Sequence, residues 1–303
     1  MQTKFKQPKT FGEILDLSFS ISKDRFKDFF IILLLLMGPV YLLQAIVQMV
    51  SGTSFFREAG TGNGWFEQML SSFDNSGTFE TTNIGAEIGM VVIGLISLLL
   101  FPIAEAAILF AVNHIQKDEE YTIGSVIKQA LSRFWAMLGS NILFGLIIFG
   151  FILVPVILIF MVAGAVGQAV NPIVSILLAI VFVLGVGVLI AYILTRLSFY
   201  FASVVLEEDS PGFSRSFRLT KKRTWTLMGL YIIFYLIISI MSSVVEMTFG
   251  VFLGNSVLLS LITNLMTIVT TLIFSVGYAV MYFDLKIRHN ADDIKDLIEE
   301  YKE

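Results

Sequence analysis

The sequence predicts an all-α integral membrane protein: six transmembrane helices built as three helix-plus-hairpin repeats, each preceded by an amphipathic cytoplasmic helix, with both termini cytoplasmic. Three observations carry this expectation. Apolar residues gather into runs long enough to cross a bilayer, lysines and arginines fall almost entirely on one side of those runs, and a basic phrase recurs at the foot of three of them.

Of the 303 residues, 56% are hydrophobic and 15% charged, and the mean hydropathy is +0.84. Soluble globular domains carry about 25% charged residues. Crossing about 30 Å of hydrocarbon takes about 20 residues of helix. Windows of that length give six spans, at roughly 29–50, 87–113, 135–163, 173–203, 225–249 and 257–283. The polar first 28 residues, with no small-residue cleavage site after the first run, predict a retained anchor rather than a removable signal. With no cysteine, disulfides, thiolate nucleophiles and cysteine metal sites are excluded, and the two histidines, His114 and His289, lie far apart.

Translocating lysine and arginine is costly, so their distribution fixes orientation. Of the 20 lysines and arginines, only Arg57 falls in a predicted external loop. The others sit in the amino-terminal segment, between the second and third spans, between the fourth and fifth, and after the sixth. An odd number of spans places one of these basic segments outside, so both termini are predicted to be cytoplasmic.

The repeats show first in "SFSISKDRF", Ser18 to Phe26, and "SFRLTKKRT", Ser216 to Thr224. Setting Arg25 on Arg223 matches Ser18 with Ser216, Phe19 with Phe217, Ser22 with Thr220 and Lys23 with Lys221. A third copy aligns Arg133 and Trp135 with Arg223 and Trp225. The repeat units are predicted at about 10–114, 121–205 and 210–285, in one membrane domain over 1–303 with an acidic cytoplasmic tail at 286–303. Two spans per unit make the repeats parallel, related by an axis along the membrane normal.

Each short helix has its own signals. Ile123, Val126, Ile127, Ala130, Leu131, Phe134 and Trp135 recur at spacings of three and four, with Lys128, Gln129 and Ser132 opposite. Thr10 and Glu13 make a capping box at the start of the first. Ser210-Pro211 reads as a cap with proline in the first turn of the third. Lys23, Arg25, Arg133, Trp135, Lys221, Lys222, Arg223 and Trp225 then lie at the interface, near anionic headgroups. Two readings stand for them: anchors of topology, or a specific surface for a lipid headgroup or protein partner.

The segments "VVLEEDSPGFSRSFRLTKKRTWTLMGLYIIF", from Val204, and "FPIAEAAILFAVNHIQKDEEYTIGSVIKQALSRFWAMLG", from Phe101, share a short acidic turn, a basic serine-bearing helix and a tryptophan opening a span. In this the chain resembles the bacterial glycerophosphoryl diester phosphodiesterase membrane domain family, over most of its length. The resemblance implies a bacterial plasma membrane protein. It implies no hydrolase, because the catalytic barrel of such enzymes is a separate soluble domain for which this chain has no room.

Ionisable residues inside spans are costly and are functional candidates. Glu105 and Arg196 qualify; they are expected to pair inside the bundle, against the alternative that Arg196 snorkels to the interface. Glu87 and Glu246 fall near the outer ends of spans. Pro39, Pro102 and Pro155 lie inside spans, where they kink helices. The span glycines favour close helix approach, and no phosphate loop or dinucleotide fingerprint is present. The external loop at 51–85 reads as a flexible connector or a short interfacial helix near Trp65 to Phe73. In the tail, Ile294, Leu297, Ile298 and Tyr301 have helical spacing.

No nucleophile-base pair or metal-ligand cluster is legible, so no catalytic residue, metal or cofactor is expected, and no nucleic-acid partner. The expected function is non-enzymatic: binding or moving an amphipathic substrate such as a lipid or apolar peptide, with membrane lipids as partners. The alternative is an accessory, scaffold or immunity-type protein acting through a membrane protein partner.

Overall fold

The computed structural model describes residues 7–56, 84–166, 172–208 and 210–300, with backbone alone at 158–166, 172–179 and 292–300. The predicted loop helix near Trp65 to Phe73 lies outside the described residues. The helices run α1 Phe11–Asp24, α2 Phe26–Val50, α3 Ile84–Lys117, α4 Ile123–Ser132, α5 Phe134–Val166, α6 Pro172–Leu197, α7 Tyr200–Glu207, α8 Phe213–Thr220, α9 Thr224–Leu253 and α10 Val257–Glu300. No strand occurs among the described residues.

Among the described residues, six helical stretches are long and apolar enough to cross a membrane: Phe26–Val50, Ile84–Lys117, Phe134–Ile157, Ile180–Glu207, Thr224–Leu253 and Val257–Ala291. This multi-pass helical architecture is the one expected from the apolar runs. Pro39, Pro102 and Pro155 sit inside α2, α3 and α5, which continue through them.

Three places depart from the expected boundaries. The fourth span, expected to run unbroken through residue 203, is interrupted at Ser198 and Phe199, and a second helix, α7, carries the chain on to Glu207. The sixth span does not end near residue 283; α10 continues as one helix to Glu300. The helix start expected at Ser210-Pro211 also shifts, because Gly212, at φ +76°, occupies the cap position and α8 begins at Phe213.

The chain falls into two compact units, one of 12–131 and 232–280, the other of 3–11, 132–231 and 281–303, with the boundary inside α9 and α10. In lipid there is no hydrophobic drive between helices, so close packing and hydrogen bonds must hold each unit together. In the first unit, Gly89 of α3 lies against Val47 of α2, and Gly277 of α10 lies directly under the ring of Phe234. Phe234 also stacks on Phe19 at 6.4 Å and meets Phe274 edge-on at 6.3 Å. Asn264 donates from α10 to Gln44 Oε1 of α2 at 3.3 Å, satisfying two polar side chains inside apolar spans.

The start of α10 is closed by the chain that follows α2. Val257 and Leu258 donate their backbone N–H groups to the carbonyls of Ser54 and Phe55, both at 3.1 Å, and Ser256 Oγ accepts from Leu259 N–H at 3.3 Å. Donors that every helix start leaves unsatisfied are thus filled.

The second unit is centred on rings. Phe144, Tyr200 and Phe213 meet at centroid distances of 4.5, 5.1 and 6.3 Å, and Tyr200 donates its hydroxyl to Asn141 Oδ1 at 2.8 Å. Phe199 packs between Tyr231 and Tyr282 at 6.1 and 6.3 Å. In both units burial concentrates at the basic ends of the spans: Phe29 and Ile32 in α2, Ile103 to Val112 in α3 apart from Glu105 and Phe110, Phe199 and Ala202 to Val205 beside and within α7, and Ala279 to Leu285 in α10. The far ends bare their apolar side chains, as at Leu42, Ile46 and Val50, and at Ile88, Val91 and Leu95.

Candidate functional site

The three arginines aligned in sequence all occupy the same local position. Arg25 separates α1 from α2, Arg133 separates α4 from α5, and Arg223 closes the turn between α8 and α9. At each, a backbone bond closes the first turn of the span: Phe29, Met137 and Leu227 donate N–H to the carbonyls of Arg25, Arg133 and Arg223, at 3.2, 3.0 and 3.0 Å. A span therefore begins on the carbonyl of its own arginine, leaving the guanidinium at the foot.

What faces each guanidinium differs. Arg25 pairs with Asp28 at 3.7 Å, and Asp28 also accepts from Tyr121 Oη at 3.2 Å. Burial, helped by the Asp28 charge, pushes the Tyr121 phenol up to about 12. Arg133 pairs with Glu208, the residue in left-handed conformation (φ +62°) that ends α7, and this partnership holds the Glu208 carboxyl below the ordinary range. Arg223 has no carboxylate partner among the described residues.

Arg223 instead borders an open groove of about 750 Å³, lined also by Lys9, Phe11, Trp225, Thr226 and Arg288. The far wall is pinned by Asp284, whose side chain is 5% exposed. Its Oδ1 accepts the Lys9 N–H at 2.7 Å and its Oδ2 accepts Arg288 Nε at 2.8 Å, while Arg288 Nη2 donates to the Lys9 carbonyl at 2.6 Å. The Phe11 ring lies over Gly229 of α9.

The interfacial residues predicted from sequence are at the feet of the spans. Lys23 is exposed in the last turn of α1, and Lys221 and Lys222 are exposed in the turn before Arg223. Trp135 is 79% and Trp225 64% exposed, the latter leaning on Tyr192 at 5.7 Å.

Of the intramembrane pair, Glu105 belongs to the first unit, partly buried between Ala104 and Ala106. Arg196 belongs to the second, at the α6 break. Its Nη2 donates to the Phe217 carbonyl at 2.9 Å and its guanidinium carbon lies 3.8 Å over the Phe217 ring. Its Nε is buried without a partner among the described residues.

Three functional-looking features escaped sequence reading. Glu207 accepts from Arg215 Nε at 2.9 Å and pairs with Lys286 Nζ at 3.0 Å, tying α7, the helix α8 and α10 together. The Asp284 clamp had a visible trace in the i, i+4 spacing of Asp284 and Arg288. His114 of α3 sits with Nδ1 2.8 Å from Glu119 and Nε2 3.3 Å from Gln129, joining α3 to α4. No group of three or more His, Asp or Glu residues suited to a metal occurs among the described residues.

Long apolar helices with polar feet, joined by short helices, define an all-helical multi-pass membrane protein. The chain belongs to the family described as a domain of unknown function, DUF7847, whose family model matches residues 30–284. That range takes in the four middle spans, most of the first and the sixth, and the feet at Arg133 and Arg223, while Arg25 lies before it. Neither the curated proteins nor the solved structures contain a match to the chain.

Proposed function

We propose that the protein is a non-enzymatic membrane protein that binds or moves an amphipathic substrate, a lipid or an apolar peptide, across or within a bacterial plasma membrane, with both termini on the cytoplasmic side. One observation carries this reading: each unit is packed at its basic end while the far ends of its spans leave large apolar side chains uncovered, as at Leu42, Ile46, Val91 and Leu95. A polar foot beside an uncovered apolar wall suits a molecule with a charged head and a greasy body. The likeness of the three arginine feet supports three parallel repeats, and with them the resemblance to the phosphodiesterase membrane domain type.

The test is purification of the full chain in mild detergent, followed by lipid extraction and a transfer assay with fluorescent lipid in proteoliposomes. Retained lipid and protein-dependent transfer are expected. Lipid-free protein that moves no lipid or apolar peptide overturns the reading. The second reading, an accessory protein, is favoured by α10, which runs past its span to Glu300 carrying Asp292, Asp293, Asp296 and Glu299. Its mark is a stoichiometric protein partner in the same preparation, lost when residues 292–303 are removed.

A further inference from the structure

Three feet built alike place three arginines at the start of three spans, yet among the described residues only two have a carboxylate partner, Arg25 in Asp28 and Arg133 in Glu208. At the third, the carboxylate beside the groove, Asp284, is already committed to Arg288 and to the Lys9 backbone. The groove thus presents Arg223, Lys9 and Arg288 against one carboxylate whose two oxygens are both engaged. Such a surplus calls for an anion from outside the chain. We propose that this groove binds the phosphate of an anionic phospholipid headgroup, with Arg223 as its charge partner.

The position argues for a lipid rather than a dissolved phosphate. Arg223 and Trp225 flank the first residue of the α9 span, and the indole is 64% exposed, the placement tryptophan favours at headgroup depth. Guanidinium suits phosphate because its planar donors meet two oxygens at once. The opposite wall is held before any ligand arrives, since Asp284 fixes Lys9 and Arg288, and the Phe11 ring lies over Gly229. The lining combines apolar surface from Phe11 and Trp225 with charge from Arg223, which suits the glycerol-acyl boundary and the phosphate of one lipid. The proposal rests on the membrane reading above and goes further by assigning one lipid class to one place.

The test uses the full chain with Trp65→Phe and Trp135→Phe, leaving Trp225 as the sole tryptophan, in nanodiscs of phosphatidylcholine doped with brominated lipid. Brominated phosphatidylglycerol is expected to quench Trp225 at least fivefold more effectively than brominated phosphatidylcholine. Arg223→Gln is expected to abolish that preference and Lys117→Gln, outside the groove lining, to leave it within twofold. Thr226→Glu, which brings a carboxylate into the groove, gives a second route to the same loss if Arg223→Gln fails to fold. Equal quenching by both lipids, or a preference untouched by the folded variants, overturns the proposal. Displacement of the brominated lipid by millimolar glycerol phosphate also overturns it, assigning the groove to a soluble phosphate. Absent preference with lipid transfer intact refutes this site alone, whereas preference intact with no transfer refutes only the movement of substrate.

Discussion

The Ser216 hydroxyl of α8 stands inside the broken helix at Arg196: it donates to the Arg196 carbonyl at 2.7 Å and accepts the Phe199 N–H at 3.0 Å. One side chain thereby satisfies the carbonyl of the penultimate residue of α6 and the Phe199 N–H beyond the break. Backbone groups freed near the bilayer need such partners, because no water replaces them deeper in. Thr220 Oγ1 adds a longer contact to the same carbonyl at 3.3 Å. Ser216→Ala should therefore lower stability by about 1–3 kcal/mol, the cost of orphaning buried backbone groups. Its counterpart Ser18 bonds only within its own helix, to the Ile14 carbonyl at 2.6 Å, so Ser18→Ala is expected to cost less than half as much. Thermal unfolding of the two variants in one detergent, read by circular dichroism, makes the comparison.

At Gly277 the constraint is steric. The Phe234 ring occupies the space a Cβ would need, with three ring atoms in the way. Phe234 is itself fully buried and stacked on Phe19, so it has no free direction in which to yield. Gly277→Ala should destabilise by about 1–3 kcal/mol, the usual cost of overpacking. Adding Phe234→Leu should recover part of that loss, whereas Gly94→Ala, where nothing lies within 4 Å, should change the midpoint little. A loss in Gly277→Ala that Phe234→Leu fails to relieve would show that the ring is not the obstacle.

Tyr121 links structure to alkaline pH. Its phenol is pushed from an ordinary value of 10.0 up to about 12 by burial and by Asp28. The folded chain then holds the proton more tightly than the unfolded chain. The stabilisation is fully present below pH 10 and is lost as pH rises from there through about 12. Tyr121→Phe should flatten the fall in stability across that window, and Asp28→Asn should shift it downward while burial keeps part of the effect. Unfolding midpoints measured at half-unit steps from pH 9 to 12 provide the check.

How far these features were readable from sequence depends on the kind of force that sets them. Span positions follow from the cost of moving polar residues into hydrocarbon, a sum over about 20 residues that survives local errors, and so six apolar helices appear where the apolar runs lie, although the fourth and the sixth extend past their expected ends. The break at Ser198 and Phe199 was invisible because it depends on one hydroxyl arriving from 17 residues away. Aligning Ser18 with Ser216 marked the position as repeated without revealing that only Ser216 reaches another helix. The arginine feet were legible as charges next to spans, but their unequal partners are tertiary: Glu208 lies 75 residues from Arg133, and the Lys9–Asp284 bond spans 275. The helical spacing of Ile294, Leu297 and Ile298 made a short tail helix legible, but its unbroken continuity with the sixth span was not, because no composition signal distinguishes a separate helix from a prolonged one.

Glu207 provides the sharpest contrast between a charge that holds structure and one that does not. It and its neighbour Glu208 each pair with an arginine, but Glu207 is 16% exposed and shared between Arg215 and Lys286, whereas Glu208 is 66% exposed and meets Arg133 alone. Removing one partner of a fully buried ion pair costs about 3–5 kcal/mol, because the other charge stays desolvated. Lys286 is partly solvated and recovers water, so Glu207→Gln is expected to cost about 2 kcal/mol, mostly from Arg215. Glu208→Gln should leave the midpoint unchanged within error, since an exposed pair is screened by water and salt. Raising salt from low to molar should affect wild type and Glu207→Gln alike if the Arg215 contact is sheltered. If Glu207→Gln and Glu208→Gln unfold at the same temperature, Glu207 does not join α7, α8 and α10, and its two short contacts are no more than surface pairs.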